Sequence, residues 1–132
     1  MEESGPQVLI VEDSEEMLWA IANILEKAGF SVDAVTTGKE AISILNNKYH
    51  QIKVVVINYL LPDMNGISVI NQMRSNGCKV EVIGISALKD KREIFLNAGA
   101  FAFLDKPFDI RELVHLCKQA LSRMDAAEGI PS

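Results

Sequence analysis

Five short apolar runs, each followed by a segment of helical period, constrain this chain more than any other feature of it. The runs are Val8 to Val11, Val32 to Val35, Ile52 to Ile57, Val80 to Ile85 and Ala100 to Leu104. Short apolar runs alternating with amphipathic helices are the pattern of repeated strand–helix units, which fold around a parallel sheet. In the third and fourth runs the hydrophobicity is continuous rather than alternating, which marks strands covered on both faces and places these two centrally. The expectation is an α/β fold with helices on each side of one parallel sheet.

Helix signals fall between the runs. Ser14 is an N-cap residue followed by Glu15 and Glu16, which suit the positive end of a helix dipole, and that helix ends at Ala28-Gly29. Thr37 and Glu40 form a capping box for the second helix. The third is expected from about Gly66 to Ser75, stopped by Asn76-Gly77, and the fourth over roughly Asp90 to Ala98 with Gly99 at its end. The fifth opens at Asp109, with Glu112 three residues on, and presents Ile110, Leu113, Val114, Cys117 and Leu121 as an apolar stripe.

A length of 132 residues suits one domain with a single core. Residues 1–6 read as a flexible N-terminus, 7–125 as the folded unit, and 126–132 as a flexible tail or the start of a linker. No apolar run approaches the roughly 20 residues that span a bilayer, and the polar, acidic start from Met1 to Gln7 is unlike a secretory signal. The expected location is the cytoplasm, with no membrane contact. A formal net charge of -5 argues against a broad basic face, hence against direct nucleic-acid binding. Cys78 and Cys117 form no C-x-x-C pair, and His50 and His115 do not cluster, so reduced thiols and ordinary packing histidines are expected.

In an open parallel sheet, functional groups gather at the carboxyl ends of the strands. The polar residues fall at those ends: Glu12 and Asp13 after the first, Asn58 after the third, Ser86 after the fourth, and Lys106 after the fifth. Two adjacent carboxylates need a positive neighbour, and a hard divalent cation takes oxygen ligands of this kind. Taken singly, each residue has a plainer explanation: Asp13 and Ser14 as helix caps, Lys106 as a solvated charge, Ser86 as a turn residue.

Together they carry a resemblance that covers nearly the whole chain. The segments Val8-Leu9-Ile10-Val11-Glu12-Asp13-Ser14, Val54-Val55-Val56-Ile57-Asn58-Tyr59-Leu60-Leu61-Pro62-Asp63-Met64-Asn65-Gly66, Ile83-Gly84-Ile85-Ser86-Ala87 and Phe103-Leu104-Asp105-Lys106-Pro107-Phe108 resemble the receiver domain of two-component response regulators. The resemblance implies a flavodoxin-like, doubly wound (βα)5 fold with strand order 2-1-3-4-5. It implies a phosphorelay signalling role rather than an enzyme. Asp13, the amide oxygen of Asn58, the carbonyl of Leu60 and, through water, Glu12 would hold magnesium. Asn58 matches the residue that takes a phosphoryl group from a histidine kinase or phosphotransfer protein. Ser86 and Lys106 match the residues that contact that group, and Phe103 the aromatic switch that turns inward on activation. The output surface for a partner or output domain would be the fourth helix, fifth strand and fifth helix, and a homodimer remains an option. Without a phosphoryl group, Phe103 is expected to point outward and Lys106 to pair with Asp13 or Asn58.

The departure from the family pattern is chemical. A carboxylate can attack phosphorus, whereas the neutral amide of Asn58 has a poor nucleophilic oxygen. Asn58 should therefore stay unphosphorylated, and with one negative charge fewer the magnesium site should be weak. Asp63, beside Pro62 in a turn, is a conceivable substitute acceptor. Two origins for Asn58 stay open: a natural receiver that has abandoned phosphorylation, or an Asp→Asn change that locks an ordinary one. The competing reading is a nucleotide- or flavin-binding module of the same architecture. Against it, Glu12, Asp13, Glu15 and Glu16 crowd the first strand-to-helix turn, where a phosphate binder needs open backbone amides. A phosphatase or dehalogenase would need an aspartate nucleophile where Asn58 stands.

Overall fold

A computed structural model describes residues 5–129. Along it run β1 (Val8–Val11), α1 (Glu15–Lys27), β2 (Val32–Val35), α2 (Gly38–Asn46), β3 (Val54–Asn58), α3 (Gly66–Ser75), β4 (Glu81–Ser86), α4 (Arg92–Asn97), β5 (Ala102–Asp105) and α5 (Ile110–Ala127). The strands form one parallel sheet in the order β2-β1-β3-β4-β5, the flavodoxin-like arrangement that the resemblance implies. Every residue of β3 is buried, as is every residue of β4 after Glu81, which is why their hydrophobicity is unbroken. β2, at one edge, is half-exposed throughout.

Because successive strand residues point to opposite faces, the sheet sorts its side chains into two apolar layers. Val8, Ile10, Val54, Val56, Ile83 and Ile85 meet α1 and α5 through Ile21, Leu25, Leu113 and Cys117. Leu9, Val11, Val55, Ile57, Val82 and Phe103 meet α2, α3 and α4 through Leu45, Val69, Met73 and Phe95. At Gly84 a Cβ would fall 2.4 Å from the Phe95 ring, so the bare backbone there lets α4 lie close.

Helix starts follow the capping residues. Ser14 Oγ accepts from the Met17 N–H at 3.3 Å; Thr37 Oγ1 accepts from the Glu40 N–H at 3.1 Å and donates to the Glu40 carboxylate at 3.0 Å. Several boundaries differ from the sequence reading. β3, β4 and β5 each end one residue later, on Asn58, Ser86 and Asp105, because the ladder is made by backbone groups and continues under polar side chains. α4 begins at Arg92 rather than Asp90, since Asp90 sits at φ 63°, outside helical backbone. α5 runs past residue 125 to Ala127, so Ala126 and Ala127, expected in a flexible tail, are helical. Lys53 holds this last turn, reaching Asp125 at 3.0 Å and Glu128 at 2.7 Å. Of the expected loose ends, residues 1–4 and 130–132 lie outside the described span. Gly5 is described, and its N–H donates to the Gln51 side chain. No described helix is long and apolar enough to cross a membrane.

Candidate functional site

The parallel sheet brings Glu12, Asp13, Asn58, Ser86 and Lys106 to one end, where β1 and β3 part and their following segments diverge. Glu12 is fully buried. Its Oε1 accepts from Lys106 Nζ at 2.6 Å, and its Oε2 accepts from the Ser14 N–H at 3.0 Å and from Asn58 Nδ2 at 3.5 Å. A carboxylate this deep is tolerable only with such donors around it. Asp13 is exposed, and its Oδ1 accepts from Asn58 Nδ2 at 3.4 Å.

Asn58 is 6 % exposed, and its amide nitrogen also donates to the Leu60 carbonyl at 2.8 Å. That nitrogen faces Glu12, Asp13 and Leu60 at once. The loop carrying Leu60 folds back under the site because Gly66 has no side chain: a Cβ there would lie 2.6 Å from the Asn58 carbonyl oxygen. The Gly66 N–H donates to the Tyr59 carbonyl at 2.7 Å, and Leu60 bridges Asn65. Ser86 is buried, and its Oγ accepts from the Leu88 N–H at 3.0 Å, which shapes the segment leading to α4.

Two expectations are corrected. Lys106 pairs with Glu12, not with Asp13 or Asn58. The buried carboxylate needs the counterion, while water can solvate exposed Asp13. Phe103 does not point outward: it is 2 % exposed, packed against Phe95 at 5.3 Å between ring centroids, with the Arg92 guanidinium 5.5 Å from its ring. A ring without a hydroxyl has no partner in water, and α4 supplies an apolar seat. Tyr59, next to Asn58, meets Phe95 edge-on at 6.2 Å, and Lys91 Nζ stands 4.6 Å over the Tyr59 ring. The sequence reading missed Phe95 and Tyr59. Their only signal is aromatic residues at positions that become neighbours once the sheet is assembled.

Asp63 lies in the loop after β3 and is committed to another element. Its carboxylate accepts from the Gly38 and Lys39 N–H groups, both at 2.9 Å, capping the start of α2. Those bonds, Gly38 first, hold its carboxyl below the usual carboxylate range. A depressed folded value contributes stability that is present above the unfolded value and lost as pH falls through the folded one. The thermal midpoint of Asp63→Asn should therefore fall less steeply on acidification below about pH 4 than that of the parent chain. Parallel melting curves for the two proteins would contradict this assignment.

Elsewhere, Cys117 is buried and its thiol is pushed up to about 12 by burial. Cys78 is half-buried, 4.0 Å from His50 Nε2; burial lowers the His50 imidazole. Concavities of about 420 and 450 Å³ lie at the ends of α2 and α3 and beside α4, away from the crevice. Among the described residues no three His, Cys, Asp or Glu side chains gather to hold a metal. The crevice instead offers two carboxylates and a carbonyl around one point, an all-oxygen donor set of the kind that suits a hard cation.

Comparison with known proteins agrees with this geometry. The family model of the response regulator receiver domain matches residues 8–118. Response regulator SaeR of Staphylococcus aureus (strain USA300) is 31% identical over 119 residues, which cover 89% of this chain and 51% of that protein. The chain thus spans about half the length of the curated relatives it matches. Among solved structures, the Francisella response regulator 1452 receiver domain superposes with a TM-score of 0.82 at 29% identity, covering 90% of this chain and 98% of that one. The receiver domain of sensor histidine kinase PA1611 from Pseudomonas aeruginosa PAO1, with a magnesium ion coordinated in its active site cleft, gives 0.78 at 28% identity, covering 90% and 99%. With the strand order, the crevice at the sheet's carboxyl end and a family match over most of its length, this chain belongs to the response regulator receiver domain family of two-component signalling proteins.

Proposed function

We propose that this chain is a receiver that regulates a protein partner or output domain without taking a phosphoryl group at Asn58. The observation that carries the reading is the carboxamide of Asn58 at the end of β3, set between Glu12, Asp13 and the Leu60 carbonyl. This is the phosphoacceptor position, and the amide oxygen is too weak a nucleophile to form an acyl phosphate. Ser86 and Lys106 stand where a phosphoryl group would be contacted, and Lys106 instead neutralises Glu12.

The oxygens of Glu12, Asp13 and Leu60 would hold magnesium, with Asn58 contributing its own oxygen if the amide turned over. The cation, when bound, supplies positive charge against the carboxylates, and holds weakly because Asn58 brings none of the negative charge an aspartate would. The folded unit is residues 7–125, with α5 extending slightly beyond it, and it works in the cytoplasm. A histidine kinase or phosphotransfer protein is the upstream partner class. The face built from α4, β5 and α5 is the output surface, for a partner or a second copy.

The test is intact-mass spectrometry after incubation with magnesium and a small phosphodonor. The mass should stay unchanged. A gained phosphoryl group on any crevice residue would overturn the reading.

A further inference from the structure

Resting on that reading of the crevice, we infer that the Asn58 amide nitrogen is the site's built-in substitute for the divalent cation, so that this receiver is assembled without metal. Its three neighbours, a Glu12 carboxylate oxygen at 3.5 Å, an Asp13 carboxylate oxygen at 3.4 Å and the Leu60 carbonyl at 2.8 Å, all accept from it. An amide with two ends, one donating and one accepting, must turn its nitrogen toward such a set. Its N–H groups thus point to the same oxygens that would ligate a cation.

Charge points the same way. Lys106 cancels Glu12 at 2.6 Å, so the crevice retains one net negative charge, on exposed Asp13. An aspartate at position 58 would bring a second negative charge into a buried place and turn the Leu60 carbonyl and the Glu12 oxygen from partners into repelling neighbours. Such a site needs a cation to be stable; with Asn58 it has none to wait for. A cation entering this chain must first displace the amide nitrogen and turn its oxygen inward, surrendering the 2.8 Å bond to Leu60. Buried polar groups are costly to leave unpartnered, and among the described residues no buried side-chain nitrogen or oxygen lacks a partner. The network is complete as it stands.

The experiment is thermal melting of the parent chain, Asn58→Asp and Asn58→Ala, each in EDTA and in ~10 mM magnesium. The parent should shift by less than about 1 °C, whereas Asn58→Asp should rise by roughly 5–10 °C, the scale expected for a cation well above its dissociation constant. Asn58→Ala, which strips the donor and leaves the oxygens, should melt below the parent in EDTA and regain part of the loss in magnesium. A parent that rises as far as Asn58→Asp would overturn the inference, as would an Asn58→Ala that matches the parent in EDTA and ignores magnesium. Should either variant not fold, the side-chain NH2 signals of Asn58 in the parent decide. They should stay sharp and slow to exchange through a manganese titration that reaches millimolar concentration; broadening at the first additions would overturn the proposal. If Asn58→Asp gains magnesium-dependent stability yet takes no phosphoryl group, this inference stands and the functional reading fails.

Discussion

Lys106→Met is expected to lose about 3–5 kcal/mol of unfolding free energy, because it leaves Glu12 charged, buried and without its counterion. The Glu12 side chain is 1 % exposed and the lysine reaches it at 2.6 Å. The Ser14 N–H and the Asn58 amide would remain as donors, but both are neutral and cannot cancel a full charge. Replacing both partners should cost much less than the sum of the single changes, since the isolated charge is what costs most. Denaturant unfolding of Lys106→Met, of Glu12→Gln and of the double variant measures this. A Lys106→Met loss below about 1 kcal/mol, the range of exposed ion pairs, would contradict the burial of the pair.

Phe95→Ala should cost a similar amount, about 3–5 kcal/mol, through the transfer term and the cavity left behind. The ring is fully buried, packed against Tyr59 and Phe103 and seated on Gly84. Gly84 has no side chain with which to refill the space, and neither Tyr59 nor Phe103 can reach it without leaving its own seat. α4 has six residues and no side-chain cap bond, too short to be helical by itself, so Phe95 is what fastens it. Amide exchange in α4 should accelerate more than in α5. Unchanged exchange in α4 would show that the helix is held by something other than this ring.

These two residues also mark where sequence reasoning reached its limit. The alternation of apolar runs and helical stripes specifies the layers because it reflects which side chains leave water, and the strand order follows once the family resemblance is seen. Residues at strand ends are legible for the same reason: the sheet delivers Glu12, Asn58, Ser86 and Lys106 to one edge whatever their side chains do. Pairing within that edge is another matter. Whether Lys106 meets Glu12 or Asp13 depends on which carboxylate the first turn buries, a difference of one residue in a backbone that sequence does not display. Phe103 turns inward because Phe95, bound over Gly84, offers it a surface, and that contact joins three separate elements. Asp63 likewise serves α2, 25 residues earlier in the chain, through two backbone N–H groups, which have no side-chain signature at all. The start of α4 shifted because one residue, Asp90, takes a left-handed conformation.

The measurement that bears most directly on the central claim is phosphorylation of Asn58→Asp beside the parent chain, in one buffer with magnesium and the same small phosphodonor, followed by intact mass. One carboxylate oxygen is then the sole chemical difference between the two crevices. Asn58→Asp should gain a single phosphoryl group that maps to residue 58, while the parent gains none. A parent chain that is phosphorylated, or a folded Asn58→Asp that binds magnesium and remains unmodified, would contradict the account.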